Sequence, residues 1–196
     1  MNTQEKVKST LRNYTSDLHA LETCFLNAVR QQKVSDSVKD KNMVELLHEL
    51  DKMVSGHTET LGTHLERLGG SMKSEIKSKL ASFAGSVTGL IDRARTDTVS
   101  KMIRDDYTAL SMITIGYTML HTHALVEEDH SLADVALNHM RNCTSMIKEI
   151  SKIVPLVVAK ELAGDADRAE EIGRKALENT QEAWSAKVIN RDPVIV

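Results

Sequence analysis

The sequence predicts an all-α protein, an up-down four-helix bundle with a long helical crossover and one extra C-terminal helix. Apolar residues recur at three- and four-residue spacing through four long stretches, the signature of amphipathic helices. Only two prolines, Pro155 and Pro193, and nine glycines interrupt the 196 residues, so helix is nowhere blocked for long. Each of the four stretches also carries a metal-capable side chain on its apolar stripe: Glu22, His57, His121 and His139. Burying such a group costs several kcal/mol unless it finds a partner, so four of them on four inward faces point to one shared polar interior.

The first helix is expected from about Glu5 to Gln32, with Leu11, Leu18, Leu21, Phe25 and Val29 facing inward. The polar stretch 33–42 reads as a loop. A second helix follows from about Lys41 to Leu68 and stops at Gly69-Gly70, a C-terminal helix signal. Its stripe holds Met43, Leu46, Leu47, Leu50, Met53, Val54, Leu61 and Leu68. Residues 69–100 contain two short helical pieces, SEIKSKLASF and GLIDRAR, between small residues, and read as a crossover. The third helix, from about Asp97 to Val126, is the most apolar stretch and is expected to lie deepest. After the acidic turn Glu127-Glu128-Asp129, a fourth helix runs from about Ser131 to Val154, where Pro155 bends or breaks it. Residues 156–187 form a further amphipathic helix, divided at Gly164 with Asp165 as the new cap, and Asn190 to Val196 are a tail. The domain division is therefore 1–155 and 156–196. A hairpin, a long crossover, a second hairpin and an extra helix make the order of a ferritin-like bundle.

The composition excludes several classes of function. A net charge of −3 with both signs mixed along the chain gives no basic stripe for nucleic acid. Three Tyr, two Phe and one Trp leave few platforms for stacking bases. Cys24 and Cys143 are the only cysteines, too few and too far apart for a disulfide scaffold or a zinc ribbon. No signal peptide and no 18-residue apolar run is visible, so a cytoplasmic protein without a membrane span is expected. No P-loop, dinucleotide fingerprint or Ser-His-Asp order occurs.

The stretch HTETLGTHLERLGG, His57 to Gly70, resembles the second-helix signature of the YciE/YciF-like stress proteins. His57 and Glu59 match the opening of that signature, Glu66-Arg67-Leu68 its close, and Glu22 in ALETCFLNA sits where the family places a first-helix carboxylate. The similarity covers roughly residues 7–154. It implies a ferritin-like, stress-associated protein with a metal site in its core. The second hairpin departs from a di-iron pattern, because no carboxylate occurs between Asp106 and Val126. Two close irons need several bridging carboxylates, and the core offers at most Glu22 and Glu59. An altered or vestigial site of Glu22, His57, Glu59, His121 and His139 is therefore expected, for iron, manganese or zinc.

Axial bookkeeping refines these expectations. With a turn near Asp129, His121 and His139 are level to within ~3 Å. They can share a metal or a hydrogen bond, or each can bond separately to backbone or a Tyr hydroxyl. Around a turn near Ser37, Glu22 and His57 differ by ~7 Å along the axis, so a polar contact is as reasonable as ligation. His19 reads as an exposed ion-pair residue, Glu45 and His48 as surface, and Cys143 as a small apolar filler or a soft ligand beside His139. A reading of another class is a metal-free helical interaction or dimerisation module, using Trp184 and the C-terminal helix. Either reading expects a homo-oligomer. A di-iron oxidase is the third.

Overall fold

The computed structural model describes residues 3–70, 79 and 98–185, and among them five α-helices and no strand. They are α1 (Thr3–Lys33), α2 (Lys41–Arg67), α3 (Val99–Val126), α4 (His130–Leu162) and α5 (Ala166–Ser185). The all-α expectation is met. The crossover expected within 69–100 and the tail from Asn190 fall almost wholly outside the described residues. No helix among the described residues is long and apolar enough to cross a membrane.

The helix ends follow their local sequence. Asp40 caps α2, its carboxylate accepting from the backbone N–H of Asn42 at 3.0 Å and Met43 at 3.3 Å. At the other end Gly69 takes φ +78°, and the Gly70 N–H reaches the Leu65 carbonyl at 2.9 Å while Gly69 reaches Glu66 at 2.9 Å. That pair of bonds is a Schellman stop, which needs a left-handed residue and explains the glycine. The end of α3 repeats the geometry without glycine: Glu128 holds φ 58° and Asp129 N–H reaches the Ala124 carbonyl at 2.9 Å. Asp129 then caps α4 through the Leu132 N–H at 3.1 Å and holds Arg67 at 2.6 Å, tying this turn to the end of α2.

The chain divides into two compact units, Met1–Ser151 and Lys152–Val196, so the boundary falls inside α4. In the first, α1 lies against both α2 and α3. Leu18, Phe25, Val29, Leu47, Leu50, Leu61, Ile103, Leu110, Ile113, Leu120, Leu132 and Ile150 form its buried interior. Close approach of α1 and α3 is set at Gly116, where a Cβ would stand 2.7 Å from a Leu18 methyl. Across the α1–α2 hairpin, Asp51 binds both Arg30 and Lys33, and the Lys33 ammonium foremost holds its carboxyl below the usual range. In the second unit, Val157, Ala159 and Ala169 are buried, and Gly173 lets the α5 backbone approach Leu156.

One expectation is corrected. Pro155 does not end the fourth helix, which continues to Leu162. A proline removes only its own amide from the ladder, and the turns beyond it bury Val157 and Ala159, so packing outweighs the local penalty. The break comes instead at Gly164, φ +67°, with Asp165 capping α5 through the Arg168 N–H at 3.0 Å, as expected for that glycine. The third helix buries Ile103, Leu110, Ile113, Tyr117 and Leu120 completely along one stripe, while Met112, Ile115, Met119, Leu125 and Val126 on its other side are exposed.

Candidate metal centre

Five side chains from four helices meet in the interior of the first unit. Glu22 comes from α1, His57 from α2, Tyr117 from α3, and His139 with Cys143 from α4; all five are buried. Helical periodicity puts them there. Glu22 is one turn from Leu18 and Phe25, Tyr117 lies between Ile113 and Leu120, and His139 and Cys143 are one turn apart between Ala136 and Met146.

His57 is the hub. Its Nδ1 lies 2.9 Å from Glu22 Oε1, and its Nε2 lies 3.1 Å from the Asn142 amide nitrogen. The amide nitrogen donates, so Nε2 accepts and the ring proton sits on Nδ1, donated to the carboxyl group. The His139 ring stacks on that of His57, with centroids 3.8 Å apart and planes within 10°. His139 Nδ1 is 2.8 Å from the Tyr117 hydroxyl, and the Tyr117 ring stands edge-on to both imidazoles. Glu22 Oε2 is buried and has no hydrogen-bond partner.

Burial sets the charge state of this interior. It drives the Glu22 carboxyl well above the usual range, and the nearby Tyr117 hydroxyl only partly opposes it. His57 is pushed down to about 4 by burial, and His139 to about 3 by burial and then by repulsion from His57 and His64. Burial, reinforced by Glu22, also raises the Cys143 thiol. Stacked imidazoles cannot both carry charge in so dry a place. At neutral pH the two imidazoles are therefore uncharged, and burial favours the neutral forms of Glu22 and Cys143 beside them.

Glu22, His57 and Cys143 each offer a ligand atom, all within 4.8 Å of one another, and this group can hold a metal ion. In a tetrahedral site with metal–ligand bonds of about 2.0–2.3 Å, ligand atoms stand roughly 3.4 Å apart, so small side-chain shifts suffice. One carboxylate oxygen, one imidazole and one thiolate are a zinc-type donor set that leaves a fourth position open. Binding would require the Glu22 carboxyl and the Cys143 thiol, both held toward their neutral forms by burial, to give up their protons to solvent.

Of the expected ligands, Glu22, His57 and His139 come together, and the connection 34–40 with the side-chain lengths takes up the axial gap between the first two. His121 lies apart, bonded through Nδ1 to the Ala133 carbonyl at 2.8 Å. The histidines of the second hairpin thus take separate partners, one backbone and one Tyr hydroxyl. Around a turn at Glu128, residue 139 is level with residue 117, one helical turn deeper than 121. Glu59 is exposed on the outer face of α2, two residues and about 200° from His57. Glu45 is exposed beside Lys41, as a surface pair.

His19 is corrected: it is buried and bonds at the Thr58 backbone, and burial lowers its basicity. Asn142 was not foreseen, because nothing in an isolated Asn marks it as a histidine's partner. Cys143 was legible only as a choice between filler and ligand, and the contact across to Glu22 and His57 decides for proximity. Compared with protein-family models, with curated proteins and with solved structures, the chain matches none of them.

Proposed function

We propose that this chain is a ferritin-like, stress-associated bundle protein whose core holds an altered, mononuclear metal site of Glu22, His57 and Cys143. The observation that carries the reading is the buried triad drawn from three helices, its ligand atoms all within 4.8 Å of one another. His139 and Tyr117 border the site, and with the ion on Nδ1 the His57 proton would move to Nε2, where the Asn142 side chain, turned to present its amide oxygen, would accept it. The bound ion would supply a Lewis-acidic charge at the centre of the fold. Zinc fits the donor set better than iron or manganese, because a thiolate replaces the oxygen ligands those ions favour. With one carboxylate in the triad, bridged di-iron chemistry has no support. A cytoplasmic setting accords with two free, buried cysteines.

Zinc titration against a chromophoric chelator tests this. One ion per chain is expected, lost by at least tenfold in affinity in His57→Gln and in Cys143→Ala, and unchanged in His121→Ala and Glu59→Ala. A site indifferent to Cys143, or absent in the folded parent, refutes it. The second reading, a metal-free interaction module, draws on exposed Leu162, Ile172 and Trp184 in the second unit. It is favoured if zinc leaves the parent's thermal midpoint unmoved while removal of residues 165–196 changes the oligomeric state.

A further inference from the structure

The helix α3 presents a second seam on the side opposite its buried face. Thr108, Met112, Ile115, Met119, Thr122 and Val126 are exposed and follow alternating four- and three-residue steps. That is the heptad spacing of a coiled-coil stripe, and it covers about 27 Å of helix. The buried residues Asp106, Leu110, Ile113, Tyr117, Leu120 and Ala124 make the inner stripe with the same step, two residues out of phase. One helix thus carries two coiled-coil faces, and among the described residues only the inner one is covered.

The outer seam is drier than its threonines suggest. The Thr108 hydroxyl bonds the Arg104 carbonyl at 2.9 Å and the Thr122 hydroxyl bonds the Thr118 carbonyl at 2.9 Å. Thr118, beside the stripe, turns to Thr114 at 3.1 Å in the same way. What these residues show outward is methyl groups. From Tyr107 to Val126 the sequence holds no Lys, Arg, Asp or Glu, in a chain that is 27% charged. A solvent-facing helix has no reason to omit charge for so long, whereas a covered one does.

The ends of α3 say what covers it. Lys101 and Arg104 stand exposed near its start, Arg104 also pairing with its neighbour Asp105, and Glu127 and Glu128 follow its end. Two copies laid parallel would set like charges together. Laid antiparallel, they set the basic start of one against the acidic end of the other. We infer that α3 is the interface of a two-fold homodimer, its outer seam pairing antiparallel with the α3 of a second copy about a centre level with Tyr117. Ile115 then faces Met119 of the second copy, Met112 faces Thr122, and Thr108 faces Val126. The seam is self-complementary, which a two-fold contact requires. This interface shares no residue with the metal site, whose ligands Glu22, His57 and Cys143 are buried on the other three helices of the first unit.

Charge placed at the paired positions tests occupant and register together. The parent is expected to sediment as a concentration-dependent dimer. Ile115→Glu and Met119→Lys alone each put an unpaired charge against an apolar residue and should weaken dimerisation by at least about a hundredfold. An equimolar mixture of the two variants should recover dimer as a heterodimer, because Glu at 115 then meets Lys at 119 of the other chain. Both positions are exposed, so far-UV circular dichroism and thermal midpoints measured under monomeric conditions should match the parent. A monomeric parent at all concentrations overturns the inference, as do single variants that still dimerise, or a mixture that stays monomeric. A single variant with a monomer markedly less stable than the parent's also overturns it, since the seam would then be covered from within the chain.

Discussion

Asp106 lies wholly inside the first unit on α3, and its Oδ1 accepts the Gln32 side-chain amide at 2.9 Å. Neither Asp106 Oδ2 nor Gln32 Oε1 has a hydrogen-bond partner. Burial raises the acid to about 7, with the Gln32 bond opposing and the charge of Asp105 adding to it. A proton on Oδ2 supplies the donor that two adjacent acceptors lack. Unfolded, the group returns to its ordinary value of 3.8. Between these limits the folded chain holds one proton more than the unfolded chain. The stability that Asp106 contributes is therefore full below pH 3.8, declines as the pH rises to about 7, and is gone above it. At about 1.4 kcal/mol per pKa unit, the span amounts to about 4 kcal/mol at most. Asp106→Asn keeps the shape, removes the titration and offers Gln32 a permanent second donor. It should be more stable than the parent by up to about 4 kcal/mol at pH near 8, and that gap should shrink by roughly 2–3 kcal/mol by pH near 5. Urea unfolding followed by circular dichroism at several pH values measures it, and subtracting the two proteins cancels every other titrating group. A gap independent of pH, or an Asn variant weaker than the parent at pH near 8, refutes the reasoning.

Other consequences follow from the same interior. Tyr117→Phe strips the hydroxyl from His139 Nδ1 and leaves a buried nitrogen unpaired; chemical unfolding should record a loss of about 1–3 kcal/mol, and an unchanged midpoint would count against the network. His57 and His139 have folded-state values lowered to about 4 and about 3, so the stability they contribute is present above 6.5 and lost as the pH falls toward those values. The stability difference between the parent and His139→Gln should accordingly narrow on acidification from pH near 7 to near 5, and a constant difference would argue against a neutral, buried imidazole. Gly164→Ala forces a side chain into φ +67° between α4 and α5 and should lower stability by about 1 kcal/mol, measurable as a shift of the thermal midpoint.

By itself the sequence determined the long helices and the inward placement of Glu22, His57 and His139. Local rules suffice for these: the spacing of Leu18, Glu22 and Phe25 assigns a face, Gly69 needs a left-handed backbone, and Asp40 and Asp165 cap whatever helix begins beside them. The path of the fourth helix through Pro155 was not legible, because a proline's local penalty says nothing of the burial of Val157 and Ala159 beyond it. Only the tertiary structure decided which polar groups meet. Height along neighbouring rods depends on how the connections place them, and one helical turn separates a His139 that bonds Tyr117 from one that would meet His121. The same holds for Gln32 with Asp106 and for Asn142 with His57. Their partners lie far away in sequence, and an amide's preference for a carboxyl or an imidazole leaves no periodic trace until the chain has brought them together.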